Sequence, residues 1–332
     1  MEYATLGKSD LEVSAVTMGL WNVAGGVTWG ETDPGEAIEA IEAAVDAGIT
    51  TFDTAEAYGD GTSERLLGEA IESYDRETLQ VATKAWPDNH RAEDLKSACR
   101  ASLDRLGTDY LDLYYLHYPN ESVPFEETFG ALADLREAGL IREVAVSNFG
   151  VEQLAEAREA SPVPIVANQV PYSLLWRAIE FEVLEACLES DTSIVAYSPL
   201  AQGLLTGAYH DPDEVPDGVA RTRHFGRDRP HARHGEAGVE GRTFETIDRI
   251  RDVCADAGRP MAEIALAWVL DRAGVASAVA GSTTPEHVRA NAAAAGVDLD
   301  PAITERLEAA TGALKTALGP NPDPWQSESR YR

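Results

Sequence analysis

Eight short apolar runs alternate along this chain with longer segments whose apolar residues recur at helical spacing. Alternation of this kind implies a parallel sheet, because one parallel strand reaches the next only through a crossover that a helix supplies. One unit shows the pattern. Asp33-Pro34-Gly35-Glu36 opens a helix with Asp33 as N-cap; Ile38, Ile41 and Val45 form its apolar face; Gly48 stops it before the run Ile49–Phe52. Further helices are predicted near 63–73, 92–106, 125–138, 151–159, 178–189, 241–257, 261–272 and 285–294. Strands are predicted at Ala15–Leu20, at runs ending in Asp53, Lys84, His117 and Ser147-Asn148, and at Pro164–Gln169, Ser193–Tyr197 and Ala276–Ala280. No G-x-G-x-x-G follows the first strand, so an open dinucleotide-binding sheet lacks its usual signal. The fold class expected is α/β, a (β/α)8 TIM barrel, as a single domain over 1–332. A short N-terminal hairpin from 2–6 and 11–14, a long loop after the seventh strand, a last helix near 301–313 and an irregular tail at 316–332 complete it.

Asp53, Lys84 and His117 close three successive runs, 31 and 33 positions apart. Each interval is one strand-plus-helix unit, so neighbouring strands would carry the three side chains to one rim. Active sites of such barrels lie at the C-terminal strand ends. Tyr58 stands five residues past Asp53, on the loop above that strand. A carboxylate, a phenol, an ammonium and an imidazole then converge, which is a proton-handling set. Singly, each has a capping or packing explanation; their shared position in the repeat favours a site. Only four of the 27 basic residues are lysines. A lysine kept at a strand end suggests a need for a compact ammonium rather than a planar guanidinium.

The net charge is −30, from 57 Asp and Glu against 27 Lys and Arg. Acidic residues are spread over most segments, a composition that suits a salt-rich cytoplasm, where the Debye length falls to about 3 Å at molar salt. A halophilic protein with an acidic surface is the expectation. Nucleic acid as a partner is disfavoured, since phosphates need a basic face. The apolar stretches, such as Ala262–Leu270, are too short to span a bilayer. Met1-Glu2-Tyr3 opens without a basic flank or apolar core, so no signal peptide is read and a cytoplasmic location is expected. Cys99, Cys187 and Cys254 are odd in number and widely spaced, which reads as reduced packing thiols.

Phe52-Asp53-Thr54-Ala55-Glu56-Ala57-Tyr58-Gly59, Val81-Ala82-Thr83-Lys84, Asp109–His117, Val146-Ser147-Asn148-Phe149, Asn168-Gln169, Ala196-Tyr197-Ser198-Pro199-Leu200 and Gly281-Ser282-Thr283 together resemble the aldo-keto reductases, in order, over roughly residues 3–315. The resemblance implies NAD(P)-dependent interconversion of carbonyls and alcohols without a metal. It implies Tyr58 as general acid or base, Lys84 as the cation that lowers the phenol's pKa, Asp53 as the partner that fixes Lys84, and His117 as the donor that orients the substrate oxygen. It places Ser147, Asn148 and Gln169 on the nicotinamide carboxamide and Tyr197 against the ring. Ser198, Pro199, Leu200, Gln202, Gly203 and Leu204 would meet the pyrophosphate. Gly281, Ser282, Thr283 and Thr284, before a helix opened by Pro285, would form an anion site, with His287 and Asn291 toward the adenosine. Trp21 and Trp86 are expected as substrate-pocket walls.

The segment 221–234 holds five arginines and three histidines, a basic island in an acidic chain. It is expected to fold over the cofactor, with Arg227 or a neighbour on a phosphate. The histidines lack a metal-ligand spacing. Around the expected 2′-phosphate position the chain departs from NADP-preferring relatives, offering His287 and nearby Arg289, with Ala290 where an acidic residue is common. NADP(H) is placed slightly ahead of NAD(H). The small-molecule carbonyl or alcohol, its direction of conversion and the oligomeric state are not legible. The alternative reading is a cofactor-binding regulatory subunit without significant turnover; a metal-dependent hydrolase and a Schiff-base aldolase on Lys84 rank lower.

Overall fold

The computed structural model describes residues 1–26 and 28–332. Two antiparallel strands, β1 (Tyr3–Thr5) and β2 (Glu12–Ser14), form the N-terminal hairpin. Eight parallel strands follow: β3 (Val16–Gly19), β4 (Thr51–Asp53), β5 (Gln80–Ala85), β6 (Leu111–Leu116), β7 (Ile141–Ser147), β8 (Ile165–Pro171), β9 (Ser193–Tyr197) and β10 (Val275–Ala280). They close in chain order, with β10 pairing back onto β3. Inward-facing side chains, including Ala82, Leu113, Tyr115, Ala145, Ala167 and Val195, fill the barrel. Leu6 and Val13 of the hairpin join that cluster. The Gly7 N–H donates to Ser193 Oγ at the start of β9, so the hairpin covers the N-terminal mouth. Gly7 permits this approach, since a Cβ there would stand 2.8 Å from the Asp191 and Val166 carbonyl oxygens, and the opposite mouth is left for the site.

The helices are α1 (Pro34–Asp46), α2 (Thr62–Ile71), α3 (Ala92–Leu106), α4 (Phe125–Glu137), α5 (Val151–Ala160), α6 (Val183–Glu189), α7 (Glu240–Ala257), α8 (Met261–Leu270), α9 (Pro285–Ala294) and α10 (Pro301–Leu318). The Asp33 carboxylate accepts from the Gly35 and Glu36 N–H groups, as the local sequence requires of an N-cap. Two elements differ from the sequence pattern. The helix expected over 178–189 is broken: Ala178–Phe181 is a 3-10 turn, and α6 begins only at Val183. Arg177 and Lys315 of α10 both bind Glu180, and Tyr172 donates to it, which holds the turn outside α6's axis. The last helix runs on to Leu318, because Leu307, Thr311, Leu314 and Leu318 continue a buried face beside α7. The three cysteines are free and buried; burial pushes the Cys99 and Cys187 thiols up to about 12 and Cys254 up to about 11, as packing residues would be.

Candidate active site

Barrel closure sets β4, β5 and β6 side by side, and their registers carry Asp53, Lys84 and His117 to the same rim. Asp53 and Lys84 are buried. Lys84 Nζ donates to Asp53 Oδ1 at 2.5 Å and to the Thr54 carbonyl at 2.9 Å, and reaches the Tyr58 hydroxyl at 3.4 Å. Gln169 Nε2 donates to the other Asp53 oxygen at 2.7 Å. Both carboxylate oxygens and all three ammonium protons therefore have partners, which is what a buried ion pair requires. Tyr58 is fixed from below: its N–H donates to Ala55 O, and Ser63 donates to its carbonyl. Its ring meets the His117 ring edge-on, centroids 5.7 Å apart. The four residues form one connected group.

The electrostatics differ from the expectation on one point. The Tyr58 phenol is held well above the ordinary tyrosine range, first by burial and then by the Asp53 carboxylate. Lys84 was expected to pull it down. Its charge is largely offset by Asp53, and burial depresses the ammonium itself. His117 lies well below the usual histidine range, through burial and then the Lys84 and Arg330 cations, so its ring is neutral at pH 7.

Asp53, Tyr58 and His117 line a cavity of about 560 Å³, with fully buried Lys84 behind them. Trp21, Trp86, Ser147, Asn148, Gln169, Tyr197, Ser198, Pro199, Leu200, Gln202, Gly203 and Gly281 line it. Ser147 Oγ donates to Gln169 O at 2.9 Å, and the Tyr197 hydroxyl donates to Asn148 Oδ1 at 3.0 Å. Asn148, Ser198 and Gln202 have φ values of 65, 52 and 56, left-handed conformations that cost non-glycine residues about 1–3 kcal/mol each. Such strain concentrates at the mouth. Leu204, Arg227 and the 282–291 group lie apart from the cavity lining. Leu204 is a core residue, 2% exposed, and its side chain lies outside the cavity. Arg227 is exposed and turned to the Gly235 carbonyl, so the loop closes on itself there. Its neighbour Arg221 lines the cavity instead, held between the Trp21 and Trp325 rings at 5.2 and 4.7 Å. Ser282, Thr283, Thr284, His287 and Asn291 lie past the Gly281 edge of the cavity; His287 is exposed, whereas Ser282 and Asn291 are buried. Asn22, with its amide oriented to suit its neighbours, accepts from the Ser282 and Thr283 N–H groups at 3.3 Å.

Sequence reasoning missed several lining residues. Trp29 packs edge-on against Trp21 at 5.5 Å, and Tyr118 stacks on His117 at 5.3 Å. His231 and Arg233 come from the basic island. Trp325, Gln326 and Arg330 come from the tail, which runs back across the mouth. The Arg330 guanidinium lies 4.2 Å over Tyr118 and pairs with buried Asp323. The one available signal was compositional: Trp325, Arg330, Tyr331 and Arg332 are rich in groups that anchor, which a solvated tail does not need. Among the described residues no cluster of three or more His, Cys, Asp or Glu is placed to hold a metal ion, and no helix is long and apolar enough to cross a membrane.

A family model described as the Aldo/keto reductase family matches residues 15–311. Among curated relatives, the aldo-keto reductase YhdN of Bacillus subtilis (strain 168) is 34% identical over 299 residues, covering 87% of each chain. The NADH-specific methylglyoxal reductase of Escherichia coli (strain K12) is 31% identical over 337 residues, covering 95% of this chain and 100% of the relative. Among solved structures, an aldo/keto reductase from Klebsiella pneumoniae in complex with NADP and acetate matches with a TM-score of 0.73 at 28% identity, over 93% of this chain and 95% of that one.

Proposed function

The chain belongs to the aldo/keto reductase family and is an NAD(P)-dependent oxidoreductase; from that premise we propose that it interconverts a carbonyl and an alcohol by hydride transfer above Asp53, Tyr58, Lys84 and His117. The observation that carries the reading is the buried Lys84 ammonium, within hydrogen-bonding distance of both the Asp53 carboxylate and the Tyr58 hydroxyl, which line the cavity.

The residues present fit a dinucleotide. Arg221 Nε is buried without a hydrogen-bond partner among the described residues. In an acidic protein such a cation suits a phosphate, with Arg233 beside it. Ser147, Asn148 and Gln169 offer neutral donors and acceptors for the carboxamide, and the Tyr197 ring offers a stacking face. When bound, the cofactor supplies or accepts the hydride. Everything else falls to side chains of this chain. Tyr58 gives its phenolic proton to the oxygen that gains charge during reduction. Its raised pKa keeps that proton in place at neutral pH. Neutral His117 donates a hydrogen bond to the same oxygen and fixes its position. Lys84, held by Asp53, stabilises the phenolate that remains after proton transfer. Trp21, Trp29, Trp86 and Tyr118 wall the approach and exclude water, which suits an aldehyde, ketone or open-chain sugar with an apolar or flat flank.

NADP(H) is put slightly ahead of NAD(H), with Thr283, His287 and Arg289 available to a 2′-phosphate; the NADP complex of one neighbour and the NADH specificity of another support both. The acidic composition supports function in a salt-rich cytoplasm. The test is a nicotinamide absorbance assay in molar KCl, with NADPH and NADH, against a panel of aldehydes and sugars. Sustained turnover is the expected result. A single burst equal to the enzyme present would favour a regulatory subunit, and NADH turnover many-fold above NADPH would reverse the cofactor order.

A further inference from the structure

The Asn148 side chain has no hydrogen-bonding capacity to spare. A carboxamide offers two N–H donors and an oxygen with two lone pairs. Nδ2 donates to the His117 carbonyl at 2.9 Å and to Ser147 Oγ at 3.0 Å. Oδ1 accepts from the Tyr197 hydroxyl at 3.0 Å and from the Tyr331 hydroxyl at 2.6 Å. Three of these partners stand at the ends of β6, β7 and β9 and cannot move without disturbing the barrel ladder. The fourth, Tyr331, belongs to the tail beyond α10 and is 4% exposed.

The tail is fastened at its start and at its far end, with Gly235 N–H donating to Ser327 Oγ between them. At its start, Arg223 of the long loop donates to the carbonyls of Leu318, Asn321 and Asp323. At its far end, the Arg332 carbonyl accepts from the Glu152 and Gln153 N–H groups of α5, and the Arg332 N–H donates to Gln153 Oε1. The second fastening also includes Gln153 Nε2 donating to the Arg330 carbonyl and ion pairs of Arg332 with Glu121, Glu152 and Glu156.

We propose that Tyr331 competes with the nicotinamide carboxamide for Asn148: its hydroxyl occupies the oxygen that the carboxamide N–H would take, so binding of the nicotinamide ring displaces Tyr331 and lifts residues 329–332 from α5. Tyr331 thereby sets cofactor affinity and couples it to the position of a segment that also carries Arg330 over the mouth. The inference rests on Asn148 as a holder of the carboxamide.

The experiment compares binding of NADPH with binding of 2′-phospho-ADP-ribose, which lacks the ring, by quenching of tryptophan fluorescence. Tyr331→Phe is expected to tighten NADPH binding roughly fivefold, the worth of about one neutral hydrogen bond, and to leave 2′-phospho-ADP-ribose unchanged. Unchanged or weaker NADPH binding overturns the proposal. Hydrogen exchange on the unaltered protein gives a second readout. NADPH should expose the Glu152 and Gln153 amides and the 329–332 segment, whereas 2′-phospho-ADP-ribose should not; added protection there overturns it. Asn148→Ala separates the premise. If that variant binds NADPH and the ring-free analogue in the parent's ratio, the carboxamide reading itself is wrong and the competition falls with it.

Discussion

Lys84 is fully buried, with Asp53 as its one ion-pair partner among the described residues, and that fact governs what substitutions at either position will do. Lys84→Met leaves a carboxylate buried with only Gln169 to serve it. Removing one member of such a pair costs about 3–5 kcal/mol, so chemical denaturation should show a loss of that order. Replacing both, Lys84→Met with Asp53→Leu, should recover much of the stability, while carbonyl reduction stays low. Restored stability together with restored turnover would mean that the pair is structural. At this scale the sequence was informative where a titratable residue ended an apolar run, since such a residue has nowhere to go but the rim. It was uninformative where contacts cross the fold. Nothing local distinguishes Arg221, caught between two indoles, from exposed Arg227 six residues on. Nor does spacing reveal that burial and Asp53 outweigh Lys84 at the Tyr58 hydroxyl.

Elements were legible wherever a periodic apolar face coincided with a cap. The barrel strands and most helices follow from that alone, and helix ends moved by only a residue or two. The exceptions had long-range causes: the Arg177–Glu180–Lys315 network that breaks the 178–189 segment, and the α7 surface that extends α10. One packing relation has a testable sign. Gly68 lies in α2 where a Cβ would stand 2.5 Å from the Leu106 carbonyl oxygen at the end of α3. Alanine improves helix propensity by about 1 kcal/mol in the open, yet here two helix backbones must separate. Gly68→Ala should therefore lower Tm, with a loss of stability typical of overpacking, about 1–3 kcal/mol. A variant as stable as the parent would show that α2 and α3 are not in such close contact.

Across the whole molecule two long-range effects are superposed. The −30 charge repels itself in dilute buffer and is screened in molar salt. Tm should rise substantially from low salt to molar KCl, and an unchanged Tm would contradict the halophilic reading. Buried histidines act in the opposite sense on acidification. Burial pushes His90 and His224 down to about 4, so both are neutral in the fold. The unfolded chain binds those protons near pH 6.5 and therefore holds more protons than the fold between pH 6.5 and 4. Stability must fall as pH drops through that window, by up to about 1.4 kcal/mol per pH unit for each histidine. In molar KCl, where the carboxylates' repulsion is screened, Tm should fall from pH 6.5 to 4; a flat profile would mean that these rings are not buried neutral. The architecture at this scale was legible, because eight repeats closing on themselves leave few options. The tail was not, because a segment without periodicity shows its partners only when the mouth it crosses is built.

The proton-transfer role of Tyr58 is tested most directly by Tyr58→Phe, assayed for NADPH-dependent aldehyde reduction in molar KCl alongside NADPH binding. The phenol should prove essential: turnover falling by roughly 10²–10⁴-fold while cofactor affinity and fold stay as in the parent. Turnover within a few-fold of the parent would contradict the assignment.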